Sequence, residues 1–168
     1  MALSLYDISI PPVIKGLRNL SAILERGRAH ANEAGIAHAT MLEARLFADM
    51  LPLTGQIQRA SDTAKLMAVR IGGVANAPMA DTETSFDALQ KRIAATIAFL
   101  EAVPAQAVEG KEEAEVLLPA GSVQRTYSGR SYVLEFALPN FFFHVTTAYD
   151  LLRHNGVPVG KRNYLGWE

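Results

Sequence analysis

His144 stands directly after three phenylalanines, Phe141, Phe142 and Phe143. An imidazole in so apolar a run has two readings. It is a core histidine hydrogen-bonded to a neighbour, or it is a ligand or general base lining an internal pocket. Asn140 lies four residues before it and Thr147 three after. In a helix all three project along one face as a polar strip, and buried polar groups must find partners. Upstream, Asp49 and Gln56 are seven apart and share a helical face. Gln58 and Asp62 are four apart, with Lys65 three further on, and give a second polar face. Asp62 and Lys65 read as a solvated ion pair of small energetic value. Asp49 and Gln56 read either as a surface pair or as partners for His144. Sites in helical bundles are assembled from facing helices, so the pocket candidates are His144, Asn140, Gln56 and Asp49. His30 and His38 read as ordinary surface residues.

The chain shows no Gly-rich phosphate loop, no nucleophile elbow and no HExxH. It has no cysteine, which excludes disulfides, thiolate catalysis and cysteine-ligated metal sites. Sixteen basic residues balance seventeen acidic ones. The densest basic cluster, Lys161 and Arg162, is too short to track a phosphate backbone, so no nucleic-acid partner is expected. No apolar run approaches the ~20 residues of a membrane helix, and the longest candidates carry Asp150 and Arg153. Asp7 interrupts the apolar start, and no basic leader precedes it. The expectation is a cytoplasmic protein without a membrane partner.

Four helices must position the polar residues, and 168 residues suit one domain, 1–168. Val13, Leu17, Leu20 and Leu24 recur at helical spacing and predict a helix over 11–34. Pro11 and Pro12 are read as its first turn, although the stretch from Leu3 to Ile10 could add an earlier one, and Gly35 as its stop. Thr40 and Glu43 match a capping box and open a second helix over 40–71, bent by Pro52 inside it and ended by Gly72 and Gly73. Phe86, Leu89, Ile93, Ile97 and Leu100 predict a third helix over 84–103, ahead of Pro104. Residues 116–118 and 123–127 read as a small hairpin around Pro119, Ala120 and Gly121. The last helix, 131–155, is open to a kink at Pro139. It is apolar on most sides, which points to burial on more than one side and to a homodimer contact. Tyr164, Leu165 and Trp167 suggest that the tail packs onto the bundle. The fold class is all-α: a four-helix bundle with a small hairpin or irregular insertion before the last helix.

The run Leu138-Pro-Asn-Phe-Phe-Phe-His-Val-Thr-Thr-Ala-Tyr-Asp-Leu-Leu-Arg-His-Asn-Gly-Val-Pro-Val-Gly-Lys161 resembles the C-terminal signature of an uncharacterised bacterial family, domain of unknown function nineteen ninety-three. Arg45-Leu-Phe-Ala-Asp-Met-Leu-Pro-Leu-Thr-Gly-Gln-Ile-Gln-Arg-Ala-Ser-Asp-Thr-Ala-Lys65 is similar to its second-helix signature. The resemblance covers nearly the whole chain. It implies the DinB/YfiT-like superfamily, which is grouped with metalloenzymes: a four-helix bundle of up-down-down-up topology, often dimeric, some members being metal-dependent thiol transferases or isomerases. It also implies a three-histidine metal site, with one ligand on helix two and an HxxxH on helix four. The second histidine of that pair falls on His144 and the first on Asn140. Helix two has no histidine, so Gln56 or Asp49 would substitute. Amides are poor zinc ligands beside imidazole. The expectation is therefore a small-molecule-binding or metal-site-degenerate member without a resident cofactor. The alternative is an enzyme of the thiol transferase or isomerase type with a modified site around His144, with or without a divalent zinc or nickel ion.

Overall fold

The computed structural model describes residues 3–167. Helix α1 spans Leu5–Ala34. Its start is set by Ser4, whose hydroxyl accepts from the Asp7 N–H while the Asp7 carboxylate accepts from the Ser4 N–H, each at 3.1 Å. This capping box outweighs the two prolines, which sit inside the helix rather than at its first turn. Their rings remove the hydrogen bonds that residues 11 and 12 would have donated to the carbonyls of Asp7 and Ile8, and crowd those carbonyls. Gly35, at φ +66°, ends the helix in the left-handed conformation that a residue with a Cβ rarely adopts.

The expected second helix is divided. A short α2, His38–Leu42, is followed by irregular backbone to Pro52, and α3 then runs Leu53–Gly72. The Thr40–Glu43 box does not form, because α2 begins earlier and Ala37 occupies its cap position. Pro52 is not a bend inside a helix but the residue at which α3 starts. Proline disfavours helical backbone in the residue before it, and its own extended ψ of 170° makes it a cap.

Helix α4, Phe86–Glu101, is capped by Ser85, which accepts from the Ala88 N–H. A short α5, Ala105–Val108, leads to strands β1, Glu115–Ala120, and β2, Val123–Ser128. They pair antiparallel, Val116 opposite Tyr127 and Leu118 opposite Arg125, and Val116 and Leu118 turn inward to the core. The final helical segment opens with α6, Gly129–Ser131, passes through a widened π-helical turn, Tyr132–Ala137, and continues as α7, Leu138–His154. In the π turn the Leu138 N–H reaches back five residues to the Val133 carbonyl. Pro139 has no N–H to offer the Glu135 carbonyl, so the widened turn stands where a kink was expected. Helix α8, Lys161–Leu165, closes the chain.

The long helices pack as adjacent pairs. α3 lies against α4 and α7, and α1 lies against α4 and α7. Leu17, Leu20, Leu24, Ile57, Ala64, Met67, Leu89, Ile93, Phe141 and Leu152 are buried between them. In the tail, Tyr164 and Leu165 are half-buried, but Trp167 is 61% exposed and does not pack as expected. Among the described residues no helix is long and apolar enough to cross a membrane.

Candidate functional site

The seam between α3 and α7 carries the polar residues. Gln56, in the first turn of α3, is buried, and its Oε1 lies 2.8 Å from His144 Nδ1 on α7. The Gln56 Nε2 donates to the Leu51 carbonyl at 3.0 Å. That second bond fixes the amide: its oxygen faces the ring, so His144 carries its proton on Nδ1 and its lone pair on Nε2. Among the described residues no buried side-chain nitrogen or oxygen lacks a partner, so Nε2, which bonds to no described residue, is not sealed from solvent. Phe143 covers the ring edge-on, with centroids 5.2 Å apart.

Burial, and secondarily the charge of Arg59, hold the His144 pKa below the ordinary imidazole value. The folded protein therefore prefers neutral His144. Below pH ~6.5 the unfolded chain binds a proton that the folded one resists, so stability falls as pH drops from about 6.5 toward the depressed folded value. A ring-proton NMR titration is expected to place the His144 midpoint below 6.5. In the same window His144→Gln should flatten the pH dependence of unfolding. A midpoint at or above 6.5 would exclude this environment.

One helical turn before His144, Asn140 Nδ2 donates to Thr63 Oγ1 at 2.8 Å. Around this contact lies a cleft of ≈ 210 Å³. Arg59, Asp62, Thr63, Leu66 and Arg70 form its α3 wall, Phe136 and Asn140 its α7 wall, and Leu118 of the hairpin one end. Arg59, Thr63, Leu66 and Arg70 follow steps of four, three and four, with Asp62 beside Thr63, so they share one face. Arg70 Nη1 donates to the buried Tyr132 hydroxyl at 2.9 Å, and its guanidinium lies 5.8 Å from that ring's centroid.

Behind this wall, Arg92 of α4 is 1% exposed and ties α3 to the segment between α3 and α4. It reaches Asp62 at 2.9 Å, Asp81 and Glu83 at 3.0 Å each, the Ala80 carbonyl at 3.1 Å and the Ser61 hydroxyl at 3.2 Å. Gln58 donates to Glu83 at 2.8 Å, and Arg59 pairs with Asp81. Lys65, 3.5 Å from Asp62, is 3% exposed, so the Asp62–Lys65 pair is not the solvated one expected but part of a buried network. Three cations, Arg59, Lys65 and Arg92, meet three carboxylates, Asp62, Asp81 and Glu83. For Glu83, burial alone would raise the pKa, but hydrogen bonds from Gln58 and Arg92 and the Arg92 charge hold it below the ordinary carboxylate value.

Of the four residues expected to form the pocket, His144 and Gln56 meet directly and Asn140 joins the same seam. Asp49 does not. With the second helix divided at Pro52, it falls in the irregular connection and is exposed. Thr147 also stays apart, bonding back to the Phe143 carbonyl of its own helix at 2.7 Å. Arg92, Thr63 and Arg70 were not anticipated. Arg92 had a legible signal: it sits one residue from Ile93 in the apolar phase of α4, where a charge must be compensated.

These residues do not fit the three-histidine metal site that the resemblance implies. His144 offers one imidazole nitrogen. Both polar atoms of the Gln56 amide are spent, on His144 and on Leu51, and the Asn140 amide is turned to Thr63. Among the described residues no group of three or more His, Asp or Glu side chains converges for a metal ion. What the seam can do is present a neutral imidazole lone pair beside a small cleft with guanidinium, hydroxyl and amide groups on its walls.

Comparison with known proteins places these features in context. Residues 5–165 match the profile of the family described as a domain of unknown function, DUF1993. The crystal structure of a DinB family member protein from Shewanella denitrificans is similar to this chain at 35% identity and a TM-score of 0.88, over 96% of this chain and 92% of that one. No curated protein gives a significant match.

Proposed function

Since this chain belongs to the DUF1993 family, we propose that it is a cytoplasmic, homodimeric DinB-like four-helix bundle of up-down-down-up topology that binds a small molecule between α3 and α7 without a metal. The bond from His144 Nδ1 to Gln56 carries the reading. It occupies the helix-two side chain that would have to replace a histidine ligand, and it leaves a cleft with polar groups on both facing helices. The exposed Phe143 and Leu134, on the outer side of the last helical segment, are the apolar residues a second copy would cover.

Purified protein incubated with zinc or nickel and dialysed is expected to retain far less than one metal per chain by elemental analysis. In light scattering the same sample should run as a dimer at micromolar concentration. Stoichiometric metal that disappears in His144→Ala would overturn the metal-free reading, and a monomer would overturn the dimer.

One observation supports a second reading, an enzyme of the thiol transferase or isomerase type. Neutral His144, with its Nε2 lone pair open to solvent, has the form a general base requires. An activity that rises with pH through the His144 titration and vanishes in His144→Gln would favour it. One that survives the substitution would exclude it.

A further inference from the structure

We propose that the α3/α7 cleft selects a small carboxylate with an apolar body, and that Arg70 holds its carboxylate. The inference rests on the cleft being the binding site and adds the class of ligand.

The wall charges lead to it. Arg59 is neutralised by Asp81 and Asp62, and Asp62 in turn by Arg92 and Lys65. Arg70 has no acidic partner among the described residues; its one hydrogen bond goes to a neutral phenol. Burial keeps the Tyr132 pKa above the ordinary phenol value, against the pull of Arg70, so the phenol does not supply the missing charge. A half-buried guanidinium with a neutral partner keeps N–H donors in a rigid fork, the geometry that fits a carboxylate.

A second donor lies on the same face. Thr63, seven residues before Arg70 on α3, accepts from Asn140 Nδ2, which leaves its own hydroxyl proton to donate into the cleft. Leu66 stands between the two positions, and Phe136 and Leu118 face them. The site thus pairs cationic and hydroxyl donors with an apolar surround. At ≈ 210 Å³ it lies below the roughly 300–1,000 Å³ of sites for drug-sized ligands, which suits a small metabolite. The three cations and three carboxylates of the neighbouring network balance, so Arg70 leaves the wall with one positive charge, which matches a monocarboxylate rather than a dianion such as a phosphomonoester.

Benzoate, benzamide and phenyl phosphate titrated into labelled protein test this, read by NMR at the Asn140 side-chain amide and the α3 backbone. Benzoate is expected to shift these signals saturably and to bind about 10-fold or more tighter than benzamide, because a hydrogen bond to a charged group is lost with the latter. Arg70→Met, which keeps an apolar stem, should reduce benzoate binding to the benzamide level. Arg70→Lys, which keeps the charge without the fork, should fall between. Equal binding of benzoate and benzamide, or full benzoate binding in either variant, would overturn the carboxylate assignment while leaving the cleft as the site. Tighter binding of phenyl phosphate than of benzoate would overturn the choice of a monoanion. No shift at Asn140 with any of the three would remove both this inference and the cleft reading. The wild-type comparison of benzoate with benzamide stands even if Arg70→Met does not fold.

Discussion

Arg92→Ala lowers the stability of the protein by about 3–5 kcal/mol, the expected cost of removing one partner from a buried ionic network. The size follows from what is left behind. Asp62 and Glu83 each lose a guanidinium contact at 2.9–3.0 Å, and the Ser61 hydroxyl and Ala80 carbonyl lose a donor. Gln58 still donates to Glu83 from the other side, which holds the carboxylate near its place in the network. The effect carries a pH signature. In the wild type the depressed pKa of Glu83 contributes stability that is present above ~4.3 and lost as pH falls through the folded value. In the variant the Arg92 hydrogen bond and charge no longer lower it, so Glu83 takes up its proton at higher pH than in the wild type, which relieves the orphaned charge. The stability gap between the two proteins should therefore narrow as pH falls below the carboxylate range. Urea unfolding at several pH values reads both quantities. A gap below 1 kcal/mol that does not change with pH would show that the network contributes little.

Phe141→Ala is expected to cost a similar ~3–5 kcal/mol, for a different reason: it opens a cavity in the core. Phe141 is fully buried, packs edge-on against Phe142 at a centroid distance of 5.1 Å, and presses onto Gly16 of α1. A Cβ at Gly16 would stand 2.6 Å from the Phe141 ring. The ring thus fits α7 to α1 only because position 16 has no side chain. Gly16→Ala alone should cost ~1–3 kcal/mol by overpacking. In the Phe141→Ala background the added methyl enters the cavity instead, so the double variant should be more stable than the sum of the two single changes implies. Strict additivity in a urea-melt cycle would mean that the two residues do not share a surface.

Periodicity made the core legible. The Val13–Leu17–Leu20–Leu24 and Phe86–Leu89–Ile93–Ile97–Leu100 stripes face the core, with Ile97 only partly buried, because one apolar face must repeat with the helix. Gly35 and Gly73 end helices as expected, since their positive φ is a local requirement. The errors sit where local signals compete. Proline is tolerated in a helix interior, where it costs a hydrogen bond, and at a helix start, where it costs none. Pro52 takes the second role where the first was expected, and for Pro11 and Pro12 the structure bears out the alternative in which an earlier turn precedes them. Placing Pro52 inside a continuous helix put Asp49 on the Gln56 face, and the irregular connection undoes that. The His144–Gln56 contact was within reach because both residues interrupt apolar phases of facing helices. The partners of Arg92 and Arg70 were not, because their pairing joins segments up to 62 residues apart, and local spacing does not reveal which distant group a charge will meet.

The π-helical turn at Tyr132–Ala137 amounts to one residue inserted into an otherwise α-helical segment. Each residue of an α-helix advances about 100° around the axis, so the extra residue rotates everything before it by that angle relative to Asn140 and His144. Tyr132, the group that holds Arg70, is among the residues turned. When this chain is aligned with a relative whose helix is α throughout, the correct alignment carries a one-residue gap between Tyr132 and Pro139. Without it, Tyr132 would be matched to a position on a different side of the helix, while the residues from Leu138 onward would still align correctly.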